Sequence, residues 1–102
     1  MAVAKAKITA DYREYLLERL RDPSEAVEYL NAALEEDDGP VFLLALRDAA
    51  EAHGIGKVAA EAHLNRENVY RILSQRGNPR WSSIGALLHA LGLQLAIKPI
   101  ES

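Results

Sequence analysis

The chain has 102 residues, 49% of them apolar, and a formal net charge of −3 at pH 7, which suits one globular domain with a modest hydrophobic core. It contains no cysteine, so disulfides, thiolate metal ligands and cysteine nucleophiles are excluded. No apolar run reaches the length of a membrane span and the N-terminus lacks the apolar block of a signal peptide, so we expect a cytoplasmic protein.

The first half of the chain predicts a loose terminus over residues 1–10 and then three helices. A short amphipathic helix is predicted over residues 11–21. Asp22 and Pro23 are typical of a helix start, because Asp can cap and proline fits the first helical position. The second helix should end near residue 34. Its predicted inward residues are Ala26, Val27, Leu30, Ala33 and Leu34.

The third predicted helix opens at Pro40 and carries the most apolar run of the chain, residues 41–46. This run should supply the core, and Gly54 is the expected C-terminal cap.

Residues 56–74 predict two short helices joined by a tight turn. The small side chain of Ala59 suits the closest approach of two steeply crossing helices. Asn65 is a candidate N-cap for the second helix. His63 stands where such turns often carry glycine, and histidine tolerates positive φ better than most residues. The pattern indicates a helix-turn-helix, whose second helix can enter the DNA major groove; the alternative is simply two packed helices of an all-α domain.

The end of the chain predicts a loop over residues 75–80, a last helix capped by Ser82 or Ser83 and stopping at Gly92, and then a strand. Residues 93–98 alternate apolar and more polar side chains with period two, as strands do. A lone strand is unstable, so it should pair with the same strand of a second subunit or with a partner's sheet edge. The alternative is a packed or disordered tail. The predicted dimer-strand residues are Leu93, Leu95 and Ile97.

Charge divides unevenly at Gly54. Residues 1–53 contain six Lys and Arg against twelve Asp and Glu, a net charge of −6, whereas residues 54–102 contain six against three, a net charge of +3. The basic half holds the predicted helix-turn-helix, as phosphate neutralisation requires. The acidic half faces either a cationic partner or water.

With these elements placed, the chain resembles the antidote proteins of bacterial addiction modules, in the group with a Cro/lambda-repressor-like DNA-binding domain. The likeness is carried by AVEYLNAALE (26–35), FLLALRDAA (42–50), LNRENVYRIL (64–73), and GNP (77–79) with ALGL (90–93). The resemblance implies an all-α fold of five or six helices, with a lambda-repressor-like helix-turn-helix domain and a short C-terminal strand. It divides the chain into an N-terminal helical extension, residues 1–38, that contacts a toxin, and a DNA-binding domain, residues 39–102.

The implied function is that of a type II antitoxin. Such a protein binds and neutralises a small basic toxin, typically of the mRNA-interferase type, and represses its own operon as a homodimer on double-stranded operator DNA. The alternative is a stand-alone helix-turn-helix repressor without a toxin. No cofactor is implied.

The resemblance implies that the second helix of the motif reads bases with three side chains, Arg66, Glu67 and Arg71. Arginine pairs well with guanine, and glutamate accepts from cytosine. Residues near the rim of the motif are better placed for phosphate. The predicted phosphate contacts are Lys57, Asn68, Tyr70, Arg76 and Arg80.

Catalysis and metal binding find little support. His53, His63 and His89 form no recognisable constellation with the scattered carboxylates, and no HxxxH or cysteine pair is present to hold zinc. Neither catalytic nor metal-binding residues are therefore expected. The tyrosines of the acidic half lie at core-facing helical spacing and should pack in the core or on a partner. Trp81 is expected to anchor its loop on the domain, with DNA contact as the alternative.

Overall fold

The computed structural model describes residues 10–74 and 78–101, and within them all regular structure is helical. The expectations for residues 1–9 and for Arg76 lie outside the described residues. The six helices are α1 Ala10–Arg19, α2 Pro23–Glu35, α3 Gly39–His53, α4 Ile55–Glu61, α5 Arg66–Ile72 and α6 Trp81–Ala90. The predicted all-helical architecture is confirmed.

Local caps set several helix boundaries, of which those at Asp22 and Gly54 were predicted from the sequence and that at Asp38 was not. Asp22 precedes α2, and its carboxylate accepts the backbone N–H of Ser24 at 3.0 Å. Asp38 precedes α3, and its side chain accepts the backbone N–H of Val41 at 3.3 Å. Gly54 ends α3 with φ of 113°, in the region that favours glycine. The predicted serine cap of α6 is wrong. The helix begins at Trp81, so both serines lie inside the helix and neither can cap its start.

Helix α3 lies at the centre of the fold and packs against α1, α2 and α4, while α4 also packs against α5 and α6. One hydrophobic core runs through α2 to α6, and Leu46, Val58, Val69, Leu73 and Leu87 are almost completely buried in it. A smaller cluster attaches α1 to α3 through Leu16, Leu20 and Ala52. Helix α2 contributes Leu30 and Ala33 to the main core, so residues on both sides of position 38 share one core.

Some predicted burial is wrong. Val27 and Leu34 of α2 are 38% and 43% exposed. The C-terminal end of the chain does not cover them, because an open groove lies between it and α2. Trp81 is 72% exposed. With most of its side chain in contact with solvent, it does not anchor the loop on the domain as expected.

The predicted C-terminal strand is also wrong. Residues 93–100 follow α6 without regular secondary structure, because a strand needs a neighbouring strand for its N–H and C=O groups, and the described part of this chain supplies none. Leu93 packs against the core, but Leu95 is partly exposed and Ile97 fully so. Of the three predicted strand residues, only Leu93 packs against the hydrophobic core.

Candidate nucleic-acid interface

In the connection between α4 and α5, backbone hydrogen bonds close the C-terminal end of α4. His63 has φ of 59°, in the left-handed region. Its N–H donates to the carbonyl of Ala60 at 3.2 Å, and the N–H of Leu64 donates to the carbonyl of Ala59 at 2.8 Å. These two bonds form the Schellman motif that closes many helices. The sequence prediction that His63 adopts positive φ is confirmed.

Helix α5 begins at a side-chain cap. Asn65 has extended backbone angles, and its Oδ1 accepts the backbone N–H of Asn68 at 2.7 Å. The bond satisfies one of the donors left free at the first turn of a helix. Together with the turn at His63, it fixes where α5 starts and how it leaves α4.

The inward side of the α4–α5 pair is apolar and tightly buried. Val58 and Ala59 of α4 and Val69 of α5 are at most 4% exposed, and Leu73 just beyond α5 is equally buried. Leu64 in the turn packs against the same core. A small residue at Ala59 fits this interface, since a longer side chain would have no free volume. The pair is therefore held rigidly on the domain.

Most of the predicted contact residues are exposed around this pair. The exposed ones are Lys57, Arg66, Glu67, Arg71 and Arg80. Asn68 is half-buried, and its Oδ1 accepts a hydrogen bond from Nη2 of Arg71 at 2.8 Å. The structure thus brings two predicted contact residues together, with an amide orienting a guanidinium.

Tyr70 differs from the other predicted contact residues because it faces α3. Its hydroxyl donates to Oε2 of Glu51 at 3.1 Å, and the guanidinium carbon of Arg47 lies 5.1 Å from the centre of its ring. Arg47 is itself exposed and also approaches Glu51 at 3.8 Å. Sequence reasoning missed Arg47 as a cation beside α5, because its residue number places it in the acidic half and no local motif marks the contact.

The contacts of Glu51 continue into a polar network that reaches α1. Arg13 of α1 pairs with Glu51 and donates from Nη1 to Oδ1 of Asp48 at 3.0 Å. Asp48 is only 2% exposed and also accepts the hydroxyl of Tyr29, from α2, at 2.7 Å. The network therefore joins α1, α2, α3 and α5 through carboxylates on a single face of α3.

This environment raises two pKa values. Burial raises the pKa of Tyr29, and its hydrogen bond to Asp48 adds to the effect, because both disfavour a second negative charge. Burial tends to lower the pKa of Arg13, but hydrogen bonding and attraction to Asp48 and Glu51 outweigh it, so that pKa is raised. Arg13 stays charged and Tyr29 stays neutral over the physiological pH range.

The residues considered for catalysis are not assembled into a site. His53, His63 and His89 are exposed and lie at the ends of three different helices. Over residues 10–74 and 78–101, no group of three or more His, Cys, Asp or Glu side chains could hold a metal ion. None of the six helices is long and apolar enough to cross a membrane.

The sequence of this chain is similar to those of known proteins. Over residues 11–99 the chain matches a family described as "Probable addiction module antidote protein". A protein of Haemophilus influenzae, described as uncharacterized, is 36% identical over 81 residues, which cover 79% of this chain and 84% of the relative. No solved structure matches.

Proposed function

Because the chain belongs to the family of probable addiction module antidote proteins, we propose that it is the antitoxin of a type II toxin–antitoxin module. It binds and neutralises a small basic toxin of the mRNA-interferase type, and as a homodimer it represses its own operon by binding operator DNA. Both activities are binding functions, so no catalytic step is required of this chain.

The observation that carries the DNA-binding half of the proposal is the presentation of α5. Its buried side is fixed on the core, its start is defined by the turn at His63 and the cap at Asn65, and its outer side exposes Arg66, Glu67 and Arg71. A rigid helix with such residues near its N-terminus has the form of a recognition helix in the major groove. Arginine is suited to guanine, and glutamate to the amino group of cytosine.

Cations around α5 would position it on the DNA backbone. Lys57 and Arg80 are exposed for this role, Arg76 is proposed from the sequence, and Arg47 joins them through its stacking on Tyr70. Such contacts are insensitive to sequence and strengthen at low salt. In a homodimer, two copies of α5 about 34 Å apart would read a palindromic operator.

DNA binding is tested by fluorescence anisotropy with the segment upstream of the protein's own gene. Arg66→Ala or Arg71→Ala should weaken binding by roughly tenfold to a hundredfold, the loss expected for one bidentate base contact, and should relax the preference for the operator. Lys57→Ala should weaken operator and unrelated DNA alike and reduce the salt slope by about 1. Arg21→Ala, an exposed arginine of the acidic half, is the matched control and should have no effect. Equal binding of operator and unrelated DNA by the wild type would reject a sequence-specific repressor.

The acidic half supports toxin binding. Residues 1–53 have a net charge of −6, and Tyr12 and Tyr15 of α1 present exposed aromatic surface. Toxins that bind RNA are expected to be basic, so opposite charge would accelerate association and select the partner. The test is growth of cells that express the adjacent reading frame with and without this chain. A chain that binds operator DNA but neither binds nor neutralises the product of that frame would be a stand-alone repressor.

A further inference from the structure

A groove of about 550 Å³ lies on the side of the domain formed by α2, the start of α3 and the C-terminal tail. Its walls include Val27 and Leu34 from α2, Phe42 from α3 and Leu88 from α6, with residues 93–96 and Lys98 along the other side. Val27, Leu34 and Leu95 are each more than a third exposed. The groove is therefore an open concavity whose exposed lining is mostly apolar.

The groove has an acidic edge. Four consecutive acids, Glu35 to Asp38, follow Leu34 and are all exposed. Glu35 lines the groove itself, and Asp37 and Asp38 line a smaller adjoining hollow that shares Leu34 and Phe42 with it. Lys98 contributes one positive charge on the opposite side. The combined surface is therefore apolar at its centre and negative at one end.

We propose that this groove is the toxin-docking site, and that it accepts about two turns of an amphipathic helix with an apolar face and basic flanks. The assignment rests on the proposed antitoxin function. Val27 and Leu34 are seven residues apart on α2, a distance of about 10 Å along the helix axis. That length matches apolar anchors spaced over two turns of a helix laid in the groove.

Charge argues for a basic partner rather than a second copy of this chain. In a two-fold dimer the same surface would meet itself. Each copy would bring four acids, Glu35 to Asp38, to that interface and only Lys98 as a cation, so two surfaces of net negative charge would meet, which is unfavourable. A segment with Lys or Arg beside its apolar residues meets the acidic edge favourably, and its association is accelerated.

The charge test uses full-length protein and the product of the adjacent reading frame, with affinity measured by calorimetry. Glu35→Lys with Glu36→Lys should weaken binding at least tenfold and flatten its dependence on salt. The pair should fold, because lysine is favourable at a helix C-terminus. Glu61→Lys with Glu101→Lys changes the net charge equally at exposed positions outside the acidic half and outside the groove and should leave the affinity within twofold of wild type.

The apolar test compares two pairs of exposed residues. Val27→Gln with Leu34→Gln, inside the groove, should weaken binding at least tenfold. Ile97→Gln with Ile100→Gln removes fully exposed apolar side chains that do not line the groove and should have little effect. Helical circular dichroism before titration checks that each variant is folded.

Three results would overturn the assignment. If wild type binds the product of the adjacent frame and both groove pairs bind equally well, the groove is not the docking site, while the antitoxin function stands. If the groove pairs change only the sedimentation of the isolated protein, the occupant is a second copy. If wild type forms no complex at all, the proposed function and the groove assignment fail together.

Discussion

Replacing Asp48 by alanine tests whether the buried polar network stabilises this fold. The carboxylate is 2% exposed and accepts hydrogen bonds from Arg13 and from Tyr29. A hydrogen bond to a charged group typically contributes about 1.5–3 kcal/mol. The Arg13 bond is worth less, because its side chain is 35% exposed and keeps its pairing with Glu51. We therefore expect a loss of about 3 kcal/mol in the free energy of unfolding.

The assay is urea unfolding at pH 7 followed by helical circular dichroism. Asp48→Ala should lower the midpoint without changing the slope, and it should lower the melting temperature by roughly 10–20 °C for a domain of this size. Replacement of an exposed acid in the middle of α2, Glu28→Ala, is the control and should change stability by less than about 0.5 kcal/mol.

A double-mutant cycle with Tyr29→Phe separates the hydrogen bond from the rest of the site. In the wild-type background Tyr29→Phe should cost about 1–2 kcal/mol, since Asp48 loses a short bond. In the Asp48→Ala background the same change should cost almost nothing, because the hydroxyl has already lost its acceptor. Equal costs in both backgrounds, or a cost below about 1 kcal/mol for Asp48→Ala, would refute the role given to this network.

Three further changes have defined outcomes. The raised pKa of Tyr29 means that the unfolded chain loses the hydroxyl proton at a lower pH than the folded protein does. The free energy of unfolding should therefore fall above about pH 10, by up to about 1.4 kcal/mol per pH unit. Tyr29→Phe should remove this component from alkaline unfolding curves. His63→Gly should raise stability in thermal melts by about 0.5–1 kcal/mol, because glycine adopts the left-handed φ of 59° without strain; no gain would contradict that geometry. Asn65→Ala should cost about 1 kcal/mol by removing the α5 cap, and an unchanged melt would show that the cap contributes nothing.

Features decided by local chemistry could be predicted from the sequence. The caps at Asp22 and Asn65 and the helix end at Gly54 involve only residues a few positions apart. The left-handed turn at His63 was likewise signalled by its place before Leu64, because a helix leaving a tight turn needs one residue at positive φ. The order and type of the six described helices followed from such signals and from apolar periodicity.

Features decided by contacts between residues far apart in the chain could not be predicted from the sequence. The ion pair of Arg13 with Asp48 joins positions 35 residues apart, and helical spacing alone placed Tyr70 on the outer side of α5 although it bonds to Glu51 of α3. The exposure of Leu34 depends on where the tail runs after α6. Periodicity reports which residues share a side of a helix, but it does not say whether another element covers that side.

The most direct test of the antitoxin proposal is co-expression of this chain with the adjacent reading frame, scored by growth and by co-purification. We predict that the neighbouring product arrests growth when expressed alone, that this chain restores growth, and that the two purify as a stable complex. The assignment as an antitoxin would be contradicted if the neighbouring product did not arrest growth. It would also be contradicted if this chain neither relieved the arrest nor formed a complex with that product.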